Sequence, residues 1–397
     1  MCQSLYPSSI LPREKPRYGC FKLIVRWGGC RSPQTASQCA KLGMFTHKLQ
    51  ERASVEQVTI IGVDLAKNVF QVHGASDDGS VAFRKKLTRP QFKRFMREVD
   101  PCLVAMEACS GAHYWARELA AVGHEVRLIA PRYVKPFLKR QKNDAADAEA
   151  IAEAALRPTM RFVEPKSADQ QAQAVVFRTR EQFVSQRTDL VNALRSHLYE
   201  FGYSAPQGIQ YLSRLAEVVE EEGTDLPDPA RYACRLLLKQ IAILTEQIKA
   251  LQNKVAEISV KTGVSRQLQT MPGVGPIGAL AIETFAPPME QFRRGRDFAA
   301  WLGLVPRQHS SGGKQVLGKV TKMGQRDIRR LLISGAMTVI VACKRFGKHQ
   351  GTWVARMLEK KPPMLVAVAL ANKMARGIWA MITKGQDYRE PSVNVMA

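Results

Sequence analysis

Residues 58–156 read in the order strand, strand, strand, helix, strand, helix, strand, helix, and few architectures accept that succession. Residues 58–64 (Val-Thr-Ile-Ile-Gly-Val-Asp) form a short apolar run suited to a buried strand, and 69–73 alternates apolar with polar as a second strand. Gly79 turns the chain into a third strand over 81–87, so the opening is an antiparallel meander. Pro90 starts a helix that runs to about residue 99, and a fourth strand spans 103–107. A helix over 113–122, a fifth strand over 125–129 and a helix over 143–156 close the unit. A meander followed by alternating helices and strands is the order of a ribonuclease-H-like α/β domain.

The rest of the chain changes in texture. Residues 1–43 hold four of the eight cysteines, carry no helical or strand period, and are followed by Met44. Residues 1–50 are therefore expected to be a disordered or mis-started extension, with a basic arm as the alternative. The domain proper is expected over 51–165. Residues 166–262 read as helical: Leu237, Ile241, Leu244, Ile248, Leu251, Val255 and Ile258 repeat as heptads, and Phe183, Leu190, Leu194, Leu198 and Phe201 make a second stripe. Such a helical coiled-coil hairpin serves as a dimerisation arm or a rigid spacer, or is a plain intramolecular bundle. Residues 263–397 form a third, mainly helical region, and 301–397 alone carry nine Lys and eight Arg against four acids.

That charge excludes much. Across 397 residues there are 59 Lys and Arg against 35 acids, a net of +24, and a field of that sign and size faces a polyanion, nucleic acid being the commonest. A membrane role is not expected, since the longest mostly apolar run, 331–343, is 13 residues and too short to span a bilayer. The cysteines form no C-x-x-C pair and read as reduced thiols of a cytosolic protein.

Four carboxylates stand where this architecture brings remote segments together. Asp64 ends the first strand, Glu107 ends the fourth, and Asp144 and Asp147 lie one turn apart on one face of the closing helix. In a ribonuclease-H-like sheet the first and fourth strands are neighbours and the closing helix packs across their ends. Clustered carboxylates repel one another unless cations fill the space between them, and Mg²⁺ takes oxygen ligands. The expected cofactor is Mg²⁺, as two ions with Mn²⁺ as a substitute, clamping the attacking and leaving oxygens of a phosphodiester. Each acid alone also reads as a turn residue or a helix-dipole partner. Asp77, Asp78, Asp100, Glu118 and Glu125 read as solvated surface, and the histidines, His73 and His349 among them, show no metal-ligand spacing.

Two further motifs lie in the basic region. Met271-Pro-Gly-Val-Gly-Pro276 sits between two helices as a helix-hairpin-helix turn, where the backbone N–H groups of Gly273 and Gly275 can dock a phosphate; such a turn can also be only a turn. Downstream, Ser310-Ser311-Gly312-Gly313-Lys314 joins hydroxyls, small residues and charge, and reads either as a nucleophile-bearing loop or as a flexible Ser/Gly linker. Lys314, Lys319, Lys322, Arg326 and Arg329 are candidate phosphate contacts.

The combination G-V-D-L-A-K at 62–67, M-E-A-C-S-G at 106–111, N-D-A-A-D-A at 143–148, P-G-V-G at 272–275 and H-S-S-G-G-K at 309–314 resembles the insertion-sequence 110 transposases of the 1111 subgroup, over roughly residues 56–385. That resemblance implies a resolvase-like domain with an Asp-Glu-Asp-Asp tetrad at Asp64, Glu107, Asp144 and Asp147. It further implies a coiled-coil arm and a C-terminal transposase domain whose catalytic serine maps onto Ser310, with Ser311 as the contender. It implies a tetramer that pairs a structured noncoding bridge RNA with target and donor DNA, in a prokaryotic, nucleoid-associated cytoplasmic setting. The expected activity is RNA-guided DNA recombination. A water-dependent junction-resolving endonuclease and a catalytically silent nucleic-acid-binding protein are the alternatives.

Overall fold

The structure is a computed structural model that describes residues 58–76, 78–138, 144–347 and 352–390, with the side chains of Asp144 and Ala145 outside that description. The expected extension over 1–50, Asp77 and His349 lie outside the described residues.

A mixed six-stranded sheet forms the first region, its strands lying side by side in the order 81–88, 69–75, 60–64, 103–107, 125–129 and 162–163. β1 (Ile60–Asp64), β2 (Val69–Ala75) and β3 (Val81–Thr88) make the antiparallel meander, while β4 (Leu103–Glu107) and β5 (Glu125–Ile129) run parallel to β1. A short sixth strand, β6 (Phe162–Val163), pairs antiparallel to β5; two residues carry too little periodicity to be read from sequence. The parallel pairs need crossovers, and α1 (Arg89–Glu98) and α2 (Ala112–Ala120) supply them. Both cover one face of the sheet, where Phe70, Phe92 and Trp115 meet edge to face at 5.1–5.2 Å between ring centroids. A short α3 (Pro131–Val134) leads towards α4 (Asp144–Ala155), which covers the opposite face over β1, β2 and β4. Its Ala150, Ile151, Ala152 and Ala154 are buried against Ile60, Ala105 and Ile129. The arrangement is consistent with the expected nuclease-like domain.

Two long helices follow. α5 (Ala168–Tyr199) opens on a capping box in which Ser167 and Gln170 exchange bonds of 3.0 and 3.1 Å. α6 (Leu212–Glu220) precedes α7 (Asp228–Lys261), which returns antiparallel to α5, with Arg187 donating to Thr245 and Leu198 packed near Cys234. The heptad stripe faces inward: Ile241, Leu244, Ile248 and Val255 are buried within the chain. Within the chain Ile241 packs in one cluster with Leu194, Leu198, Leu215 and Val219 of α5 and α6, which accords with the intramolecular-bundle alternative. The connection between the helices is tied down by Arg231, buried and donating to the carbonyls of Val219, Glu221 and Leu226 and to Thr224 Oγ1.

The C-terminal region builds one core from α8 (Gly263–Leu268), α9 (Pro276–Phe285), α10 (Gly295–Trp301), α11 (Arg326–Phe346), α12 (Trp353–Lys360) and α13 (Pro363–Lys384). Phe177 of α5 is buried in the same core, so that helix belongs at once to the hairpin and to the C-terminal region. Among the described residues α13 is long and apolar enough to cross a membrane by length and composition, a feature the 331–343 run did not announce. Its Val366, Ala367, Ala371, Ala375 and Ile378 are spent on the core. Between α10 and α11 the chain forms a two-stranded sheet, β7 (Pro306–Gln308) with β8 (Leu317–Val320). Cys102, Cys109, Cys234 and Cys343 are free thiols.

Candidate active site

The position of the carboxylates follows from strand register. β1 and β4 pair in parallel from Ile60↔Leu103 to Val63↔Met106, so the next residues along, Asp64 and Glu107, stand side by side at the C-terminal ends of neighbouring strands. Adjacent strands lie about 4.8 Å apart. Pleating puts Gly62, Asp64, Ala105 and Glu107 on one face, the face α4 covers. Gly62 allows that covering: a Cβ there would lie 2.2 Å from the carbonyl oxygen of Ala148 and 2.8 Å from the backbone nitrogen of Ala152. The helix backbone therefore rests on the strand at Gly62, and Asp147 is one residue from that contact.

The electrostatics register the convergence. Burial, and then the Asp147 charge, push the Glu107 carboxyl above its usual range. The Cys109 thiol is raised by burial, then by the charges of Glu107 and Asp64. The Asp147 charge therefore reaches Glu107, and the charges of Glu107 and Asp64 both reach Cys109. Among the described residues no group of three His, Cys, Asp or Glu side chains is placed to hold a metal ion. Asp144 begins α4 one turn before Asp147, with its side chain outside the described residues. In chemistry, the donor set fits a hard divalent cation.

A second contact pins the same helix. Glu149 pairs with Arg84 of β3 at 2.8 Å. His73, opposite Gly62 in the β1–β2 register, is 4% exposed, and its Nδ1 finds no hydrogen-bond partner among the described residues. Desolvation lowers its pKa, against the raising effect of Glu149 and with the lowering effect of Arg84. Asp78 accepts from the Ser80 N–H as a turn residue, and Glu118 and Glu125 pair with Lys93 and Arg127 at the surface, as expected of solvated acids. Sequence reasoning missed the role of Gly62, although it is the first residue of the G-V-D motif. An alanine-rich closing helix, Asp144–Ala155, was the available signal that its backbone approaches the sheet.

The serines lie elsewhere in the chain. Ser311 and Lys314 bridge, the Lys314 N–H donates to Ser311 O at 3.1 Å, and Gly312 and Gly313 take φ of +56° and +77°. That is a two-residue hairpin turn with positive φ at both central residues, a conformation that Gly-Gly adopts without strain. The reading of this segment as a flexible linker is therefore corrected. Ser310 and Ser311 sit exposed at the hairpin tip, and Ser310 Oγ accepts from the Val316 N–H at 3.4 Å. The hairpin's sheet is separate from the one bearing the carboxylates.

Of the phosphate candidates, Lys314, Lys319, Lys322 and Arg326 are exposed on the hairpin and the chain leaving it. Arg329 is partly committed, donating to Leu302 O at 2.8 Å. In the α8–α9 turn, Gly273 has φ +85° and a Cβ there would meet Gly335 O at 2.7 Å, so its glycine character serves docking onto α11. Gly275 caps the start of α9 with open space around it.

Comparison with known proteins adds the following. Residues 61–202 match a family model described as a transposase of the DEDD type, and residues 265–350 match one described as the transposase IS116/IS110/IS902 family. A Pseudomonas aeruginosa protein described as "Probable family 20 transposase" is 46% identical over 83% of this chain and 98% of its own. The transposase for insertion sequence element IS1328 of Yersinia enterocolitica is 40% identical over 83% of this chain and 98% of its own. The transposase for insertion sequence element IS1111A of Coxiella burnetii is 35% identical over 86% of this chain and 94% of its own.

Proposed function

Because this chain belongs to the IS116/IS110/IS902 transposase family, and so to a class of DNA-acting enzymes, we propose that it cuts and rejoins DNA for its own insertion element under the guidance of a structured noncoding RNA. The observation that supports the DNA-cutting part of this reading is the seating of α4 on Gly62, with the Asp147 charge felt at Glu107 next to the strand end of Asp64.

Asp64, Glu107, Asp144 and Asp147 are the groups that would hold Mg²⁺, which when bound supplies charge neutralisation at the scissile phosphate. Asp64 and Glu107 present their oxygens from strand ends rather than loops, so their separation is set by the sheet. Ser310 is the nucleophile, with Ser311 as the contender: Oγ–P bonding accompanies cleavage of the P–O3′ bond, and the hydroxyl proton ends on the released 3′ oxygen. The result is a transient phosphoserine at a DNA 5′ end. The hairpin tip suits this step, since Gly312 and Gly313 let a DNA backbone come close and Lys314 offsets phosphate charge. The fold on DNA, or a neighbouring subunit of a homo-tetramer, brings tip and carboxylates together. The α8–α9 turn acts as a helix-hairpin-helix contact through Gly275, and the α5–α7 pair acts as a coiled-coil arm.

The exposure of Ser310, partnered among the described residues by a backbone N–H and not by a base, favours one rival reading, in which water attacks and the protein is a junction-resolving endonuclease. Nicked suicide DNA on denaturing gels separates the two. Wild type is expected to form a covalent protein–DNA adduct that Ser310→Ala abolishes and Ser311→Ala retains. The reverse pattern moves the nucleophile by one residue, and cleavage without any adduct establishes the water-dependent reading. Sequencing of RNA that co-purifies with the protein tests the guide.

A further inference from the structure

A cavity of about 850 Å³ lies away from the carboxylates, between α11, α12, α13 and the segment that follows α13. Gly385, at φ +62°, ends α13 and turns the chain back on itself. Residues 386–390 then form a strap held at two points: the Gln386 N–H donates to Met381 O at 3.1 Å and the Tyr388 N–H donates to Thr270 Oγ1 at 3.0 Å. The cavity floor is apolar, with Met374 and Met381 of α13 buried beneath it.

Its walls differ from its floor. Trp353 and Tyr388 bring aromatic rings, and Lys373 holds its ammonium 5.3 Å from the Trp353 ring centroid. Arg356, Lys384 and Arg389 add positive charge, against Asp387 and Glu390. An apolar ligand would leave the excess of basic over acidic side chains in the lining unused, and a free anion would leave the rings and the methionine floor unused. A nucleotide uses all three, with its base stacked on an aromatic face and its phosphate near Lys and Arg. The volume falls in the range of about 300–1,000 Å³ typical of pockets for single small ligands, which admits one or two splayed nucleotides and excludes a duplex.

We propose that this cavity captures an unpaired nucleotide of a single nucleic-acid strand, holding it clear of the strands being cut. The inference rests on the reading that the chain handles nucleic acid, and adds a separate site to it.

The test uses the full chain and fluorescence anisotropy with labelled oligothymidine, oligouridine, an abasic strand of equal length and a duplex. Trp353→Leu and Tyr388→Leu keep apolar bulk and remove the stacking face, and thermal melting checks that both variants fold. Each variant is expected to bind the base-bearing strand about 5- to 100-fold more weakly, with abasic-strand and duplex affinity within about twofold of wild type. A loss seen with oligothymidine alone assigns the site to DNA, and with oligouridine alone to RNA; either supports the site. Variants that bind the base-bearing strand like wild type, or that lose duplex binding equally, overturn it while leaving the transposase reading intact. Wild type that binds none of the four probes overturns both.

Discussion

Replacing Gly62 by alanine tests how the carboxylates are brought together. The new Cβ would stand 2.2 Å from the Ala148 carbonyl oxygen, a backbone atom that no rotamer change can move aside. Ordinary van der Waals contact begins near 3.4 Å, so α4 must retreat by about 1 Å or β1 must bend. Overpacking of this kind costs about 1–3 kcal/mol. On a chain of this size that lowers Tm by a few degrees. Function should suffer more, since a misplacement of about 1 Å in a catalytic constellation can cost roughly 100-fold in rate. Asp147 moves with α4, so Glu107 loses part of the charge that raises its carboxyl. The assay pairs a thermal melt with cleavage of end-labelled DNA, and Gly263→Ala is the control, a glycine with open space and ordinary φ. Wild-type Tm together with wild-type cleavage in Gly62→Ala would refute the seating of α4 on β1.

Asp147→Asn is expected to abolish cleavage while raising stability near neutral pH. A folded-state pKa raised above the unfolded value contributes stability that is lost as pH rises through it, and Glu107 is such a group. The gain should therefore shrink as pH falls into the carboxylate range; a constant difference from pH 4 to pH 8 in urea melts would refute the coupling. Arg231→Met strips the partners from the buried carbonyls of Val219, Glu221 and Leu226, at a cost of about 2–4 kcal/mol, with amide exchange accelerating over 218–226. Unchanged exchange there would show that the clamp is idle. Ile248→Glu places a charge at a position 3% exposed within the chain and should lower the melting temperature by several degrees. A fall in oligomer mass with no loss of stability would instead assign the stripe to a subunit interface.

Local pattern carried much of this protein. The alternation of 69–73, the apolar run of 58–64 and the heptads of 237–258 each announce an element, because a strand or helix must place its apolar residues at its own period. The carboxylates were legible for the same reason: Asp64 and Glu107 fall where strands end, and Asp144 and Asp147 fall one turn apart. What period cannot announce is the partner. A heptad stripe states that one face is to be buried and leaves open whether a second copy or the same chain buries it, and within the chain Ile241 joins a cluster with α5. The glycines at 312 and 313 permitted a loop or a turn, and the bridge between Ser311 and Lys314 made them a hairpin. Gly62 looked like one more small residue in a strand until α4 was laid across it. The strap over the C-terminal cavity depends on Thr270 meeting Tyr388 across more than a hundred residues of chain. Each of these outcomes turns on a contact between segments remote in sequence, and such contacts are settled by close packing in three dimensions.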